Sequence, residues 1–213
     1  MNKPFLLFLS LVLLLLPSAS WGKVITSDTV WSGDISLEED MLVPEGITLT
    51  ILPGTKIHVS PSESTKTDPE FLSPLTEITV RGTLIAGEIG KPPVTFLAST
   101  PASGEKEPTW AGIIVEGGKV VLHSCIIRNA ETGVEVMRGS VAMNNTTLTD
   151  NRYGLVIHGQ KSAVRVVGEN IRVQKNDYGV VLLNRTMLEG TGNEVSGNRK
   201  KDTYAGAVNE YQS

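Results

Sequence analysis

Four times in its second half the chain sets a glycine before a short aliphatic run: Gly112-Ile-Ile-Val115, Gly133-Val-Glu-Val136, Gly154-Leu-Val-Ile157 and Gly179-Val-Val-Leu182. The spacings are 21, 21 and 25 residues, so one structural unit is being repeated. Asparagine travels with it. Asn129, Asn151 and Asn176 stand three or four residues before their glycines, and Asn198 keeps the interval after the glycine pattern has stopped. At about 3.3 Å of rise per residue, a unit of this length holds roughly three short strands and their turns. That is one coil of a parallel β-solenoid. The Leu-x-x-Leu-x-Leu signature of leucine-rich repeats is absent, and no sustained apolar spacing of three and four speaks for helices.

The N-terminus reads differently. Lys3, the apolar run from Phe5 to Leu16 and the small residues Ser18 and Ser20 have the form of a secretory signal peptide, with cleavage expected after Ser20 or Gly22. No cysteine follows the apolar run to carry a lipid anchor, and no second apolar segment offers a transmembrane span. The expectation is an exported chain, periplasmic or extracellular at the cell surface. Removing residues 1–22 takes away one cation and no acid, so the formal charge moves from −4 to −5. That acidity argues against nucleic acid or an anionic membrane as partner. Cys125, the only cysteine, cannot form an intramolecular disulfide. Stability must come from packing, and 5% aromatic content suits a core of stacked aliphatics.

The mature chain reads as a single domain over residues 23–202. Residues 23–59 are expected to form an N-terminal cap and first coil, with Pro44, Gly46, Pro53 and Gly54 marking corners. Two polar stretches without periodicity, 60–74 and 99–109, read as surface loops. Residues 203–213, where the aliphatic pattern stops, read as a polar tail or a cap closing the last coil. Strand alternation assigns Ile113, Val115, Val134, Val136, Leu155, Ile157, Val180 and Leu182 to the core. A second set is Val120, Leu122, Val141, Met143, Val164 and Val166. A third is Ile126, Leu148, Val173 and Val195, each three residues before an asparagine. Asn129, Asn151, Asn176 and Asn198 are then expected to form a ladder in which each amide bonds the next coil or the turn backbone.

With these residues in view, the chain resembles a known group. The segment from Val43 to Ile57, the segment from Ile78 to Ala86 with Pro93 to Phe96, and Trp110 to Ile113 resemble the opening coils of bacterial exported right-handed parallel β-helix repeat proteins. The later Asn-x-x-Gly-aliphatic units are similar to repeats of the wider pectate-lyase-like superfamily. The resemblance implies an all-β, right-handed parallel β-helix of three-strand coils, about 21–25 residues each. It does not select an activity, because that superfamily spans lyases, hydrolases, epimerases and adhesins.

Enzymes of this fold place clustered Asp or Glu, often with Ca²⁺, on the outward face of one stacked strand. Proton abstraction next to a carboxylate needs a hard cation on oxygen ligands, and glycoside hydrolysis needs two opposed carboxylates. Here the outward positions are Ile114, Glu135, Val156 and Val181, and a lone Glu135 beside Arg138 supplies neither arrangement. Asp150 and Asp177 lie on opposite sides of their asparagines and read as solvated turn residues, so Ca²⁺ has no support and no cofactor is expected. His58, His123 and His158 have no ligand spacing. Cys125 reads as a small buried hydrophobe.

The aliphatic outer stripe of Ile114, Val156 and Val181, extended by Met137 and Leu183, is the stronger signal. Such a stripe on a solenoid's outer face is expected to be covered by the tail, by the 60–74 loop or by a second molecule, including self-association. The leading expectation is a non-catalytic exported scaffold or binding protein of the bacterial envelope, offering its long side to a polysaccharide or an envelope protein. Its rival is a small carbohydrate-active enzyme, a lyase or hydrolase under the 60–109 loops, drawing on Glu63, Asp68, Glu70, Glu77, Glu105 or Glu107. End-to-end stacking into a fibre is disfavoured if the polar C-terminus is a closed cap.

Overall fold

The computed structural model describes residues 23–61, 73–99, 110–159 and 164–206. Among these the chain is all β, and no helix is present that is long and apolar enough to cross a membrane. The strands are β1 (Lys23–Val24), β2 (Thr29–Trp31), β3 (Asp34–Leu37), β4 (Met41–Val43), β5 (Thr48–Ile51) and β6 (Lys56–Val59). Next come β7 (Glu77–Val80), β8 (Thr83–Ala86), β9 (Val94–Ala98), β10 (Trp110–His123), β11 (Cys125–Arg128), β12 (Ala130–Asn144) and β13 (Thr147–Thr149). The last are β14 (Tyr153–Ile157), β15 (Val164–Glu169), β16 (Arg172–Gln174), β17 (Tyr178–Leu183), β18 (Glu194–Val195) and β19 (Lys201–Gly206).

Their order in space follows the sequence period. One sheet contains the path β1-β4-β7-β10-β12-β14-β17-β19, and the other runs β18-β16-β13-β11-β9-β6-β3. A further row, β2-β5-β8, pairs with the second half of β10, and β15 pairs with the second half of β12. Because β10 and β12 are long enough to run through both rows, the two rows merge into one sheet. Described pairings are parallel, and like residues stand opposite like: Ile113 faces Val134, Val134 faces Leu155, and Leu155 faces Val180. Two parallel sheets arranged this way fit a parallel β-helix.

Parallel stacking of short strands demands sharp corners, and many of them use a left-handed residue. Between β11 and β12 it is Asn129, between β13 and β14 Asp150, between β16 and β17 Lys175, and between β18 and β19 Gly197, all with φ of 56–67°. Ser124, Asn145 and Asn170 do the same after β10, β12 and β15. Asn and Asp visit this region at little cost, whereas for lysine it costs about 1–2 kcal/mol.

The core lies between the sheets and is aliphatic, with Trp110 and Phe96 its largest members. The first two core sets sit inside as expected, apart from Val164 and Leu182, which are only half-buried. The third set needs a correction. Ile127, fully buried, stands opposite Leu148, while Ile126 stands opposite Thr147 and is only half-buried. Counting back three residues from Asn129 selects the wrong isoleucine because Asn129 itself is out of step.

Asn129 occupies the left-handed corner, and its N–H donates to the Asp150 carbonyl at 3.2 Å. The residue equivalent to Asn151 is Ala130. Asn151 accepts the Ala130 N–H at 3.0 Å on Oδ1 and donates from Nδ2 to the Ile127 carbonyl at 3.1 Å. Asn176 repeats this on the Asn151 N–H and the Leu148 carbonyl, each at 3.0 Å. Asn198 repeats it on the Asn176 N–H at 3.1 Å and the Val173 carbonyl at 3.0 Å. Asp202 ends the series, accepting both the N–H and the Nδ2 of Asn198 at 2.9 and 2.8 Å. Those two donated bonds hold its carboxyl below the usual carboxylate range. The glycine belongs to the same device: a Cβ on Gly154 would lie 2.9 Å from Asn176 Nδ2 and 2.7 Å from the Gly179 carbonyl oxygen.

At the C-terminus the described part of the expected tail or cap is a strand. Thr203 to Gly206 belong to β19, which pairs in parallel with β17, so these residues add a strand to the first row rather than crossing it as a tail. The remainder of that tail and most of the two loops lie outside the described residues, as does the signal segment.

These bonds make a quantitative prediction. Asn176→Ala strands a buried N–H and a buried carbonyl and should lose about 2–4 kcal/mol of stability by urea unfolding. Asn129→Gly, at a left-handed corner, should change stability by less than about 0.5 kcal/mol.

Candidate functional site

The first row presents one face to the core and one away from it. On the outer face the register places Leu42, Thr79, Ile114, Glu135, Val156, Val181 and Tyr204 in one column. An outward valine at an open position such as Val30 is 64% exposed, yet Ile114, Val156 and Val181 are 3%, 8% and 8% exposed without joining the internal core. They form the floor of a groove of about 450 Å³, together with Ala111 and Leu183. Ser73, Pro74, Glu131, Thr132, Glu135, Tyr153 and His158 complete its lining. Met137 is half-buried on β12 and is not among the lining residues.

One wall comes from the end of the 60–74 segment. The Ser73 N–H donates to Glu77 Oε2 at 2.6 Å, and the Thr79 hydroxyl donates to Glu77 Oε1 at 2.5 Å. The Glu77 N–H donates in turn to Asp40 Oδ1 at 3.0 Å. Glu77 and Thr79 are fully buried, so this carboxylate pins Ser73 and Pro74 against the sheet beside Ile114. Of the carboxylates considered for catalysis, only Glu77 falls within the described residues, and its two oxygens are engaged in this structural role.

The polar centre of the groove is a pair that sequence reasoning missed. His158 Nε2 lies 2.7 Å from Glu135 Oε1, with the side chains about one-quarter exposed. Glu135 therefore does not pair with Arg138. Arg138 instead reaches Glu116 at 3.1 Å, and Glu116 also holds Arg81 at 2.8 Å. The signal for the true pair was parity: Glu135 stands opposite Val156, so His158, two residues further on, shares the outer face one strand away.

Tyr153 and Tyr178 stack with ring centroids 5.3 Å apart and 16° between planes. The Arg152 guanidinium lies 5.8 Å from one ring centre and the Lys200 ammonium 5.4 Å from the other.

The other candidates separate. Asp150 accepts from the Thr149 hydroxyl at 3.1 Å, whereas Asp177 binds Arg199 at 2.6 Å and Lys200 at 3.3 Å. Burial works to raise the Asp177 carboxyl, but hydrogen bonds and charge from these two cations hold it below the usual range. His58 lies 3.6 Å from Asp34, and His123 has a buried Nδ1 with no hydrogen-bond partner. Among the described residues no three His, Cys, Asp or Glu converge to hold a metal ion. No family model matches the chain, and no curated protein or solved structure matches it significantly.

Cys125 is 1% exposed, and burial pushes its thiol up to about 12 from 9.0. The neutral thiol is thus favoured by folding below pH 9, and that contribution fades as pH rises toward 12. Iodoacetamide at pH 8 should leave Cys125 unmodified in the native chain and label it fully in denaturant.

Proposed function

We propose that this chain is an exported, non-catalytic scaffold of the bacterial envelope, folded as a right-handed parallel β-helix of the pectate-lyase-like kind, which binds an extended segment of a protein along the outer face of its first row. The observation that carries this reading is the groove floored by Ile114, Val156, Val181 and Leu183 and edged by Glu135, His158 and Thr132. An apolar floor with a few polar groups at its margin suits alternate side chains of an extended peptide, whose backbone would bond the margin. A polysaccharide would be served less well, since the tyrosine faces are occupied. The N-terminal segment supplies the export half of the proposal.

A second reading, a small carbohydrate-active enzyme, draws on the Glu135 and His158 pair. A carboxylate bonded to an imidazole can take and return a proton. It is the weaker reading because hydrolysis also needs a second carboxylate across the scissile bond, and the described residues around the pair offer only Glu131, bonded to Arg152 at 3.5 Å.

The processed chain should begin at Trp21 or Lys23 by intact mass. It should bind extended apolar peptides on an array and release no sugar from a polysaccharide panel tested with and without Ca²⁺. Leu183→Asp, which puts a charge at the half-buried end of the floor, should weaken peptide binding at least about tenfold while shifting the unfolding midpoint only modestly. New reducing or unsaturated sugar ends, abolished by Glu135→Gln, would establish the enzyme instead.

A further inference from the structure

The two ends of the parallel rows complement each other. At one end β1 pairs with β4, and at the other β19 pairs with β17, so among the described residues each leaves an outer edge without a strand beside it. Side chains that the middle of the molecule buries are open at both ends. In the outer column, Val24 is 47% and Tyr204 42% exposed, while the residues stacked between them are largely covered. Toward the core, Trp31 and Ile35 of the first strands and Leu182, Leu188 and Val195 of the last are only half-buried. Val30 at one end and Met187 at the other are 64% and 66% exposed.

Charge divides along the same axis. Residues 23–55 carry Lys23 as their only cation against Asp28, Asp34, Glu38, Glu39, Asp40 and Glu45. The far end carries Arg199, Lys200 and Lys201 at and just before the start of β19, with Asp177 paired to the first two and Glu189, Glu194 and Asp202 close in sequence. Edge strands are commonly protected by charge that repels a copy of themselves, whereas here the acidic opening coil would meet the 199–201 run rather than a copy of itself.

We propose that copies of this chain associate head to tail, with β19 of one molecule pairing in parallel with β1 of the next. The proposal rests on the export reading, because removal of residues 1–22 leaves Lys23 at the start of the chain. Continuing the register across the junction sets Lys23 opposite Thr203 and Val24 opposite Tyr204, since each pair occupies the same column at opposite ends. Ile35 then stacks on Val195, since the two stand at opposite ends of one inward column. Glu38 and Glu39 come to lie two strand spacings from Lys200 and Lys201, about 10 Å, within the reach of long side chains and about one Debye length at 0.1 M salt. Such a contact uses different surfaces on the two molecules and does not close, so it produces open linear assemblies.

The test is sedimentation velocity of the processed chain across roughly a hundredfold range of concentration. Growth beyond the dimer with concentration is expected, weakening as ionic strength rises from about 0.05 to 0.5 M. Two charge reversals decide the surface: Lys200→Glu with Lys201→Glu, and Glu38→Lys with Glu39→Lys. Each variant alone should lose at least about tenfold in apparent association, and an equimolar mixture of the two should recover it, because each then offers an end of opposite sign to the other. Recovery also shows that both variants fold. A processed chain that stays monomeric throughout, or one whose growth neither reversal alters, overturns the stacking. An N-terminus still carrying residues 1–22 by intact mass overturns the export reading, and the stacking with it.

Discussion

The architecture depends on one recurring bond: the side-chain amide of an asparagine that reaches back one repeat. A parallel stack of short strands must turn three times in each repeat, and every turn removes backbone groups from the ladder. At the corners before β12, β14 and β17, those groups are buried or half-buried. Asn151, Asn176 and Asn198 satisfy both an N–H and a C=O of the preceding repeat with one planar amide, which no other side chain of that size except glutamine could do. The amide fits only if the strand above leaves room, and Gly133, Gly154 and Gly179 leave it. Asparagine and glycine are therefore two halves of one constraint. The left-handed residue just before each asparagine is its third part.

From that corner the rest of the molecule follows. With the asparagine fixed, strand alternation sends Val134, Leu155 and Val180 inward and Glu135, Val156 and Val181 outward. The inward row makes the core. The outward row makes a floor that is apolar except where Glu135 interrupts it, and the fixed register brings His158 to that interruption at 2.7 Å. A groove on a stacked sheet is rigid, because its floor residues are held by the same ladder that holds the core. Rigidity of this kind would suit the extended segment proposed for it, which loses its own freedom on binding and gains most from a surface that need not reorganise.

Most of this frame was legible in the residues, and the exceptions are informative. The period, the parallel stacking and the inner and outer faces of β10, β12, β14 and β17 follow from spacing and parity alone. Asn129 misled because it stands four residues before its glycine while Asn151 and Asn176 stand three before theirs, a difference of one that separates a corner residue from an amide bridge. The same slip moved the core position from Ile127 to Ile126. The Glu135 and His158 pair was hidden because it joins two repeats diagonally, and only a completed register shows which outward residues are neighbours. β19 was hidden for a different reason: its exposed residues carry no aliphatic signal, and its strand form is imposed by the edge of β17 on which it lies.

The most direct test of this register is a disulfide scan between repeats. Arg172 stands opposite Thr147 on the outer face of β16 and β13, so a cysteine pair at 147 and 172 should close readily in air, since adjacent strands bring their Cα atoms to about 5 Å. A pair at 149 and 172, displaced by two residues along the same face, should stay reduced. Closure of the displaced pair with failure of the aligned one would contradict the register on which the asparagine bridge, the groove and the stacked ends all depend.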